Sequence, residues 1–129
     1  MPRPCVLIVD DEALIRWSLS EALAEAGFDV HQAASGREAR TALAACDGRP
    51  VVILLDLRLP DVGDLSLVRD IRAHRPDAPV IVMTAHGAAD VRRQSAALGV
   101  AAVIDKPFDV AELTALVQHA WPGVPGDFP

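Results

Sequence analysis

A chain of 129 residues that is 51% hydrophobic and 23% charged is long enough for one buried core and too short for two ordinary domains, and its composition is not that of a disordered segment. A net charge of -6 argues against direct binding of nucleic acid, and Arg69, Arg72 and Arg75 are interleaved with Asp70 and Asp77 instead of forming a basic run. No long apolar stretch opens the chain and none approaches a membrane span, so a soluble cytoplasmic domain with no membrane contact is expected.

The predicted elements alternate along the chain. Val6-Leu7-Ile8-Val9 is a β-branched-rich run of the kind that forms a buried parallel strand, and it ends on Asp10-Asp11. From Glu12 to Ala26, the residues Ile15, Leu19, Ala22, Leu23 and Ala26 recur on one helical face. Gly27 stands where a left-handed C-cap is needed, with Phe28 as its apolar follower. Phe28 to Ala33 reads as a second strand with Val30 facing inward. Ser35-Gly36-Arg37-Glu38 is a capping box, opening a helix whose core face is Ala39, Ala42, Leu43 and Cys46. Cys5 and Cys46 read as buried hydrophobes and not as a disulfide pair, and neither has metal-ligand spacing.

After the break at Gly48-Arg49-Pro50, the run Val51 to Leu55 ends on Asp56. A loop over Leu57 to Gly63 leads to a helix carrying Leu65, Val68, Ile71 and Arg72, with Asp64 as a candidate cap. The run Val80 to Met83 stops at Thr84. Gly87 to Leu98 is a weaker helix whose inner face, Val91, Ser95 and Leu98, is thin in large side chains, and Gly99 ends it as Gly27 ended the first. Ala101 to Ile104 is followed by Asp105-Lys106-Pro107. Asp109 to Glu112 then caps a last helix with Leu113, Leu116, Val117 and Ala120 inward. Residues 1–121 are expected to form the domain and 122–129, rich in Pro and Gly, an irregular tail; no output domain is expected beyond it.

Such alternation predicts an α/β fold, a flavodoxin-like (βα)5 three-layer sandwich with a five-stranded parallel sheet of order 2-1-3-4-5. Ligands in these sheets bind beyond the carboxyl ends of the strands, at the switch point. Asp10, Asp11 and Asp56 should meet there, with Thr84 and Lys106 at the ends of the following strands. Clustered carboxylates repel unless a cation sits between them, and magnesium, which prefers oxygen ligands, suits them. Asp56 can then act as a nucleophile toward a phosphoryl group, with Lys106 and the Thr84 hydroxyl stabilising the charge on its oxygens. Each residue alone has a plainer reading: Asp10-Asp11 as strand punctuation, Asp56 as a cap, Thr84 as an ordinary β-residue, Lys106 as a surface lysine. Their coincidence at strand ends favours the site.

Val9-Asp10-Asp11-Glu12, Asp56 with Pro60 four residues on, Met83-Thr84-Ala85 and Lys106-Pro107-Phe108 together resemble the receiver domain of two-component response regulators. Ile15-Arg16-Trp17 and Thr84-Ala85-His86-Gly87 resemble the receivers of nitrogen-regulation-type ATPase activators. The resemblance implies that Asp56 is the phosphoacceptor and that Asp10 and Asp11 bind Mg2+. It also implies that the Arg58 backbone carbonyl is a metal ligand, that Thr84 and Lys106 contact the phosphoryl group, and that Lys106-Pro107 is a cis peptide. The implied donor is a phosphohistidine on a sensor histidine kinase, and the implied output a homodimer or output-domain contact through the 87–120 surface, upstream of transcription. Such a domain catalyses only its own phosphorylation and dephosphorylation.

Two departures stand out. Val103 occupies the position of the usual aromatic switch residue, and Asp61-Val62-Gly63-Asp64 replaces the usual loop after Pro60. They motivate the alternative of a receiver-like binding module that no longer cycles phosphate. An Asp-dependent phosphatase of the haloacid-dehalogenase kind is disfavoured by Arg58 where a second Asp is needed, and a nucleotide-binding domain by the lack of a glycine-rich phosphate loop. Among the remaining residues, His86 reads as a loop histidine, with tuning of the acyl phosphate as its rival role. His31, His74 and His119 read as surface residues, Trp17 as packing, and Glu12 as the opener of the first helix or a contact of metal-bound water.

Overall fold

A computed structural model describes residues 4–61, 65–85 and 89–121. Strands β1 (Cys5–Val9), β2 (Asp29–Ala33), β3 (Val51–Asp56), β4 (Val80–Thr84) and β5 (Ala102–Asp105) alternate with helices α1 (Ala13–Glu25), α2 (Gly36–Ala45), α3 (Ser66–His74), α4 (Ala89–Ala97) and α5 (Val110–Ala120). All strand pairs are parallel and the order is β2-β1-β3-β4-β5, as the sequence predicts. Crossover helices cover both faces, which is why β1, β3 and β4 are apolar throughout their length up to Asp56 and Thr84.

The period-two alternation divides the core. Cys5, Leu7 and Val9 face Ala39, Leu43, Val68 and Ile71 of α2 and α3, while Val6 and Ile8 face Leu19, Leu23, Leu113 and Val117 of α1 and α5. Each fully buried Leu on these faces contributes about 1.5–3 kcal/mol through burial. Leu23, 0% exposed, is a position where truncation to Ala costs about 2–5 kcal/mol.

Helix ends are set by local chemistry. Gly27 takes φ 101°, and the Phe28 amide donates to the Leu23 carbonyl at 3.0 Å, which closes the C-terminus of α1 as expected. Phe28 itself precedes β2 and packs edge-to-face on Trp121, with ring centroids 6.5 Å apart. Ser35 caps α2 by accepting from the Glu38 amide, while the Glu38 carboxylate accepts from the Ala34 amide. α4 is as thinly packed as its sequence suggests: Ser95 is its one fully buried described residue, and Val91 is only half-buried. Asp64, His86, Gly87 and the 122–129 tail lie outside the described residues.

The expectation for the two cysteines holds, and the one for His31 needs correction. Cys5 and Cys46 are buried and free, yet their Sγ atoms lie 3.0 Å apart although 41 residues separate them. His31, expected on the surface, has a side chain only 27% exposed; its Nε2 is buried, and one of its ring nitrogens lies within 4.8 Å of both thiols. Strand register brings these three groups together, and no sequence spacing reports register.

Candidate functional site

The site is built where three loops leave the carboxyl edge of the sheet. The Asp10 amide continues the ladder by donating to the Ala33 carbonyl at 3.0 Å, which fixes the residue just past β1. Its carboxylate is fully buried and accepts from the Glu12 amide at 2.8 Å, and its carbonyl accepts from the Arg16 guanidinium at 2.7 Å. Asp56 is the last residue of β3 and is also buried. The Arg58 amide donates to its Oδ1 at 3.1 Å, so one carboxylate oxygen is held by the following loop.

Thr84 ends β4 and is buried, and its carbonyl accepts from the Lys106 amide at 2.7 Å. That bond aligns the residue after β5 with the end of β4. The Lys106-Pro107 bond is cis, in line with the resemblance. The Lys106 ammonium then reaches across the edge, to 2.8 Å from Asp10 Oδ2, 3.2 Å from Asp56 Oδ2 and 3.2 Å from Glu12 Oε1. Asp10, Asp11, Glu12 and Asp56 can each bring an oxygen to within 4.8 Å of the others.

Charge explains the arrangement. Burial pushes the Asp56 carboxyl above its ordinary value and the neighbouring Asp10 adds to this, against the Arg58 amide and Lys106. Burial works against the Lys106 ammonium, but its hydrogen bond and attraction to Asp10, followed by attraction to Asp56, prevail and raise its pKa. Lys106 thus serves as counter-ion to the cluster. An all-oxygen donor set of carboxylates fits a hard divalent cation such as magnesium.

The structure therefore brings together Asp10, Asp11, Asp56 and Lys106, with Thr84 closing the adjacent strand. Glu12 is closer to the chemistry than a helix opener needs to be: it stands at the N-cap of α1 without a side-chain capping bond, and its carboxylate turns to Lys106. Trp17 is not packing. It is 61% exposed on α1, and Leu14, three residues earlier on the same side, is 72% exposed. An apolar cavity of about 610 Å³ is lined by Leu14, Ile15, Leu19, Pro107 and Phe108 and reaches Lys106.

The sequence marks Asp61 only as part of the altered loop after Pro60 and gives it no role. Its two carboxylate oxygens accept from the Gly36 and Arg37 amides at 2.7 and 3.0 Å, tying the loop after Asp56 to the N-terminus of α2. An acidic residue in a loop is too common to reveal its partner on α2. At β5, the half-buried Val103 sits beside Arg92 of α4, whose guanidinium donates to Asp105 Oδ2 at 2.6 Å and to the Val103 carbonyl at 3.4 Å.

Comparison with known proteins identifies this geometry. Residues 6–118 match the model of the response regulator receiver domain family. This chain belongs to that family. The receiver is 40% identical to the DNA-binding transcriptional regulator NtrC of Salmonella typhimurium over 93% of its own length and 25% of the relative's. It is 37% identical to the transcriptional regulatory protein PrrA of Mycobacterium tuberculosis over 89% of its length and 48% of the relative's. It thus spans about a quarter to a half of these curated relatives.

Among solved structures, the receiver superposes on the beryllofluoride-activated NtrC4 receiver domain dimer with a TM-score of 0.82 at 35% identity, covering 91% of this chain and 95% of that one. The non-phosphorylated HemR receiver domain from Leptospira biflexa gives 0.82 at 30% identity, covering 91% and 93%. Family membership makes this receiver a phosphoacceptor signalling domain of the NtrC kind, a switch and not a classical enzyme, and does not favour a non-cycling module. Among the described residues, no helix is long and apolar enough to cross a membrane.

Proposed function

We propose that Asp56 accepts a phosphoryl group from a phosphohistidine of a sensor histidine kinase. The observation that carries this reading is the Lys106 ammonium, 3.2 Å from Asp56 Oδ2 inside a buried acidic pocket. An Asp56 carboxylate oxygen attacks phosphorus, forming the acyl phosphate as the P–N bond to the donor imidazole breaks. Lys106 follows the charge onto the phosphoryl oxygens, and the Thr84 hydroxyl donates a hydrogen bond to one of them. Asp10, Asp11 and Asp56, with the Arg58 backbone carbonyl, would hold Mg2+. When bound, that ion supplies positive charge between the carboxylates and the phosphoryl oxygens. The same groups assist attack of water on the acyl phosphate, so the domain catalyses its own dephosphorylation.

Leu14, which lines the cavity that reaches Lys106, and the exposed Trp17 three residues on in α1 offer the kinase an apolar landing surface. Inward movement of Thr84 and Lys106 biases α4, the thinly packed helix, and the α4-β5-α5 face passes the change to a second copy or an output domain upstream of transcription, in the cytoplasm. The phosphoryl-accepting unit is residues 1–121.

The test is intact mass after incubation with acetyl phosphate and Mg2+, comparing the wild type with Asp56→Ala. Gain of one phosphoryl group by the wild type alone is the expected result. No gain by a folded wild type that binds Mg2+ overturns the proposal.

A further inference from the structure

A second convergence of reactive groups lies on the other half of the sheet. Cys5 opens β1, the strand whose far end carries Asp10, and alternation points Cys5 toward α2. His31 pairs in register with Leu7 and shares that face. Cys46, at the C-cap of α2, comes down onto both. One ligand atom from each of Cys5, His31 and Cys46 lies within 4.8 Å of the other two.

The imidazole distinguishes this cluster from ordinary packing. His31 Nε2 is buried and has no hydrogen-bond partner, an arrangement that buried polar atoms avoid unless something else binds them. Its nearest carboxylate oxygen, Asp29 Oδ2, is 3.7 Å away and already accepts from Arg49 at 2.9 Å. Two thiols and an imidazole are soft and borderline donors, which select zinc-like cations over magnesium. A disulfide would use both sulfurs and leave the imidazole without a role.

We propose that Cys5, His31 and Cys46 form a three-ligand site for a thiophilic cation, zinc, with water or the Asp29 carboxylate as fourth ligand. Binding displaces one proton from each thiol, so the two thiolates neutralise the dication and two protons leave to solvent. The sulfurs must part from 3.0 Å to about 3.8 Å, the separation that Zn–S bonds of about 2.3 Å at a tetrahedral angle require. Arg49 and Arg75 place positive charge near the Cys46 sulfur, which favours a thiolate there. Arg75 donates to the Cys46 and Arg49 carbonyls at 3.1 and 2.6 Å, which holds the loop that carries the second sulfur.

Cobalt(II) is the probe. It is titrated into the full chain, stripped of metal and kept reduced. The expected result is one equivalent with thiolate-to-cobalt charge-transfer absorption and the visible bands of a tetrahedral site, both displaced by zinc. Cys46→Ser abolishes the charge-transfer band, His31→Gln weakens binding at least tenfold, and Asp10→Asn, at the other end of β1, leaves the band in place. Should a variant not fold, zinc-edge X-ray absorption of the zinc-loaded wild type decides independently, with two sulfur neighbours expected. Oxygen and nitrogen neighbours alone, no charge-transfer band at saturating cobalt, or a mass loss of two hydrogens showing a disulfide would each overturn the site.

Discussion

The Lys106 ammonium donates to Asp10 Oδ2 at 2.8 Å across 96 residues of sequence, and both side chains are withdrawn from solvent. This pair joins the two ends of the domain and neutralises part of a pocket that would otherwise hold carboxylates alone. Removing the cation with Lys106→Ala leaves Asp10 and Asp56 facing each other. In metal-free buffer the variant should lose about 3 kcal/mol in urea unfolding. Added Mg2+ should raise its midpoint more than that of the wild type, and equal responses would show that Lys106 does not stand in for the ion.

Asp56 carries the opposite sign. Its carboxyl is raised by burial and by Asp10, so holding it ionised at neutral pH costs stability. Asp56→Asn keeps the shape and removes the charge, while Lys106 retains Asp10 and Glu12 as partners. Without Mg2+ the variant should unfold at a higher urea concentration than the wild type, while on the proposed function it takes up no phosphoryl group.

Asp61 predicts a pH dependence. The Gly36 amide first, then the Arg37 amide, hold its carboxyl below the usual range. A carboxyl lowered in the folded state adds stability above its unfolded value, about 3.9, and that contribution is lost as pH falls through the folded value. Wild type and Asp61→Asn should therefore differ in thermal midpoint at pH 6 and converge below about pH 4. A constant difference across that range would remove the charge from the account.

Ser95 offers a gain. Its Oγ is buried without a hydrogen-bond partner on the inner face of α4. Ser95→Ala should stabilise the domain by about 1 kcal/mol in urea unfolding. If α4 is the moving element, hydrogen exchange of residues 91–98 should also slow in the variant.

Legibility from sequence followed the range of the interactions. The strands were readable because two-sided burial demands unbroken apolar runs, and Gly27 and Ser35 because caps act within one turn. Asp10, Asp56, Thr84 and Lys106 were readable because parallel strands deliver their carboxyl ends to one edge. Asp61 on α2 and the meeting of Cys5, His31 and Cys46 depend on loop course and register over tens of residues, which composition does not encode. Trp17 was misplaced because α1 has apolar residues on two sides. Ile15, Leu19 and Leu23 take the core, leaving Leu14 and Trp17 outward.

The pocket draws its side chains from the ends of β1, β3, β4 and β5, and no two of those strands are joined by a short turn. A nascent or half-unfolded chain has the aspartate but none of its company. On the function proposed above, and unlike a phosphorylation motif in a flexible tail, which an enzyme can mark on any extended chain, Asp56 becomes reactive only after the last strand has docked. The chemical mark is in effect a certificate of folding, so damaged copies of the domain drop silently out of the signal instead of corrupting it.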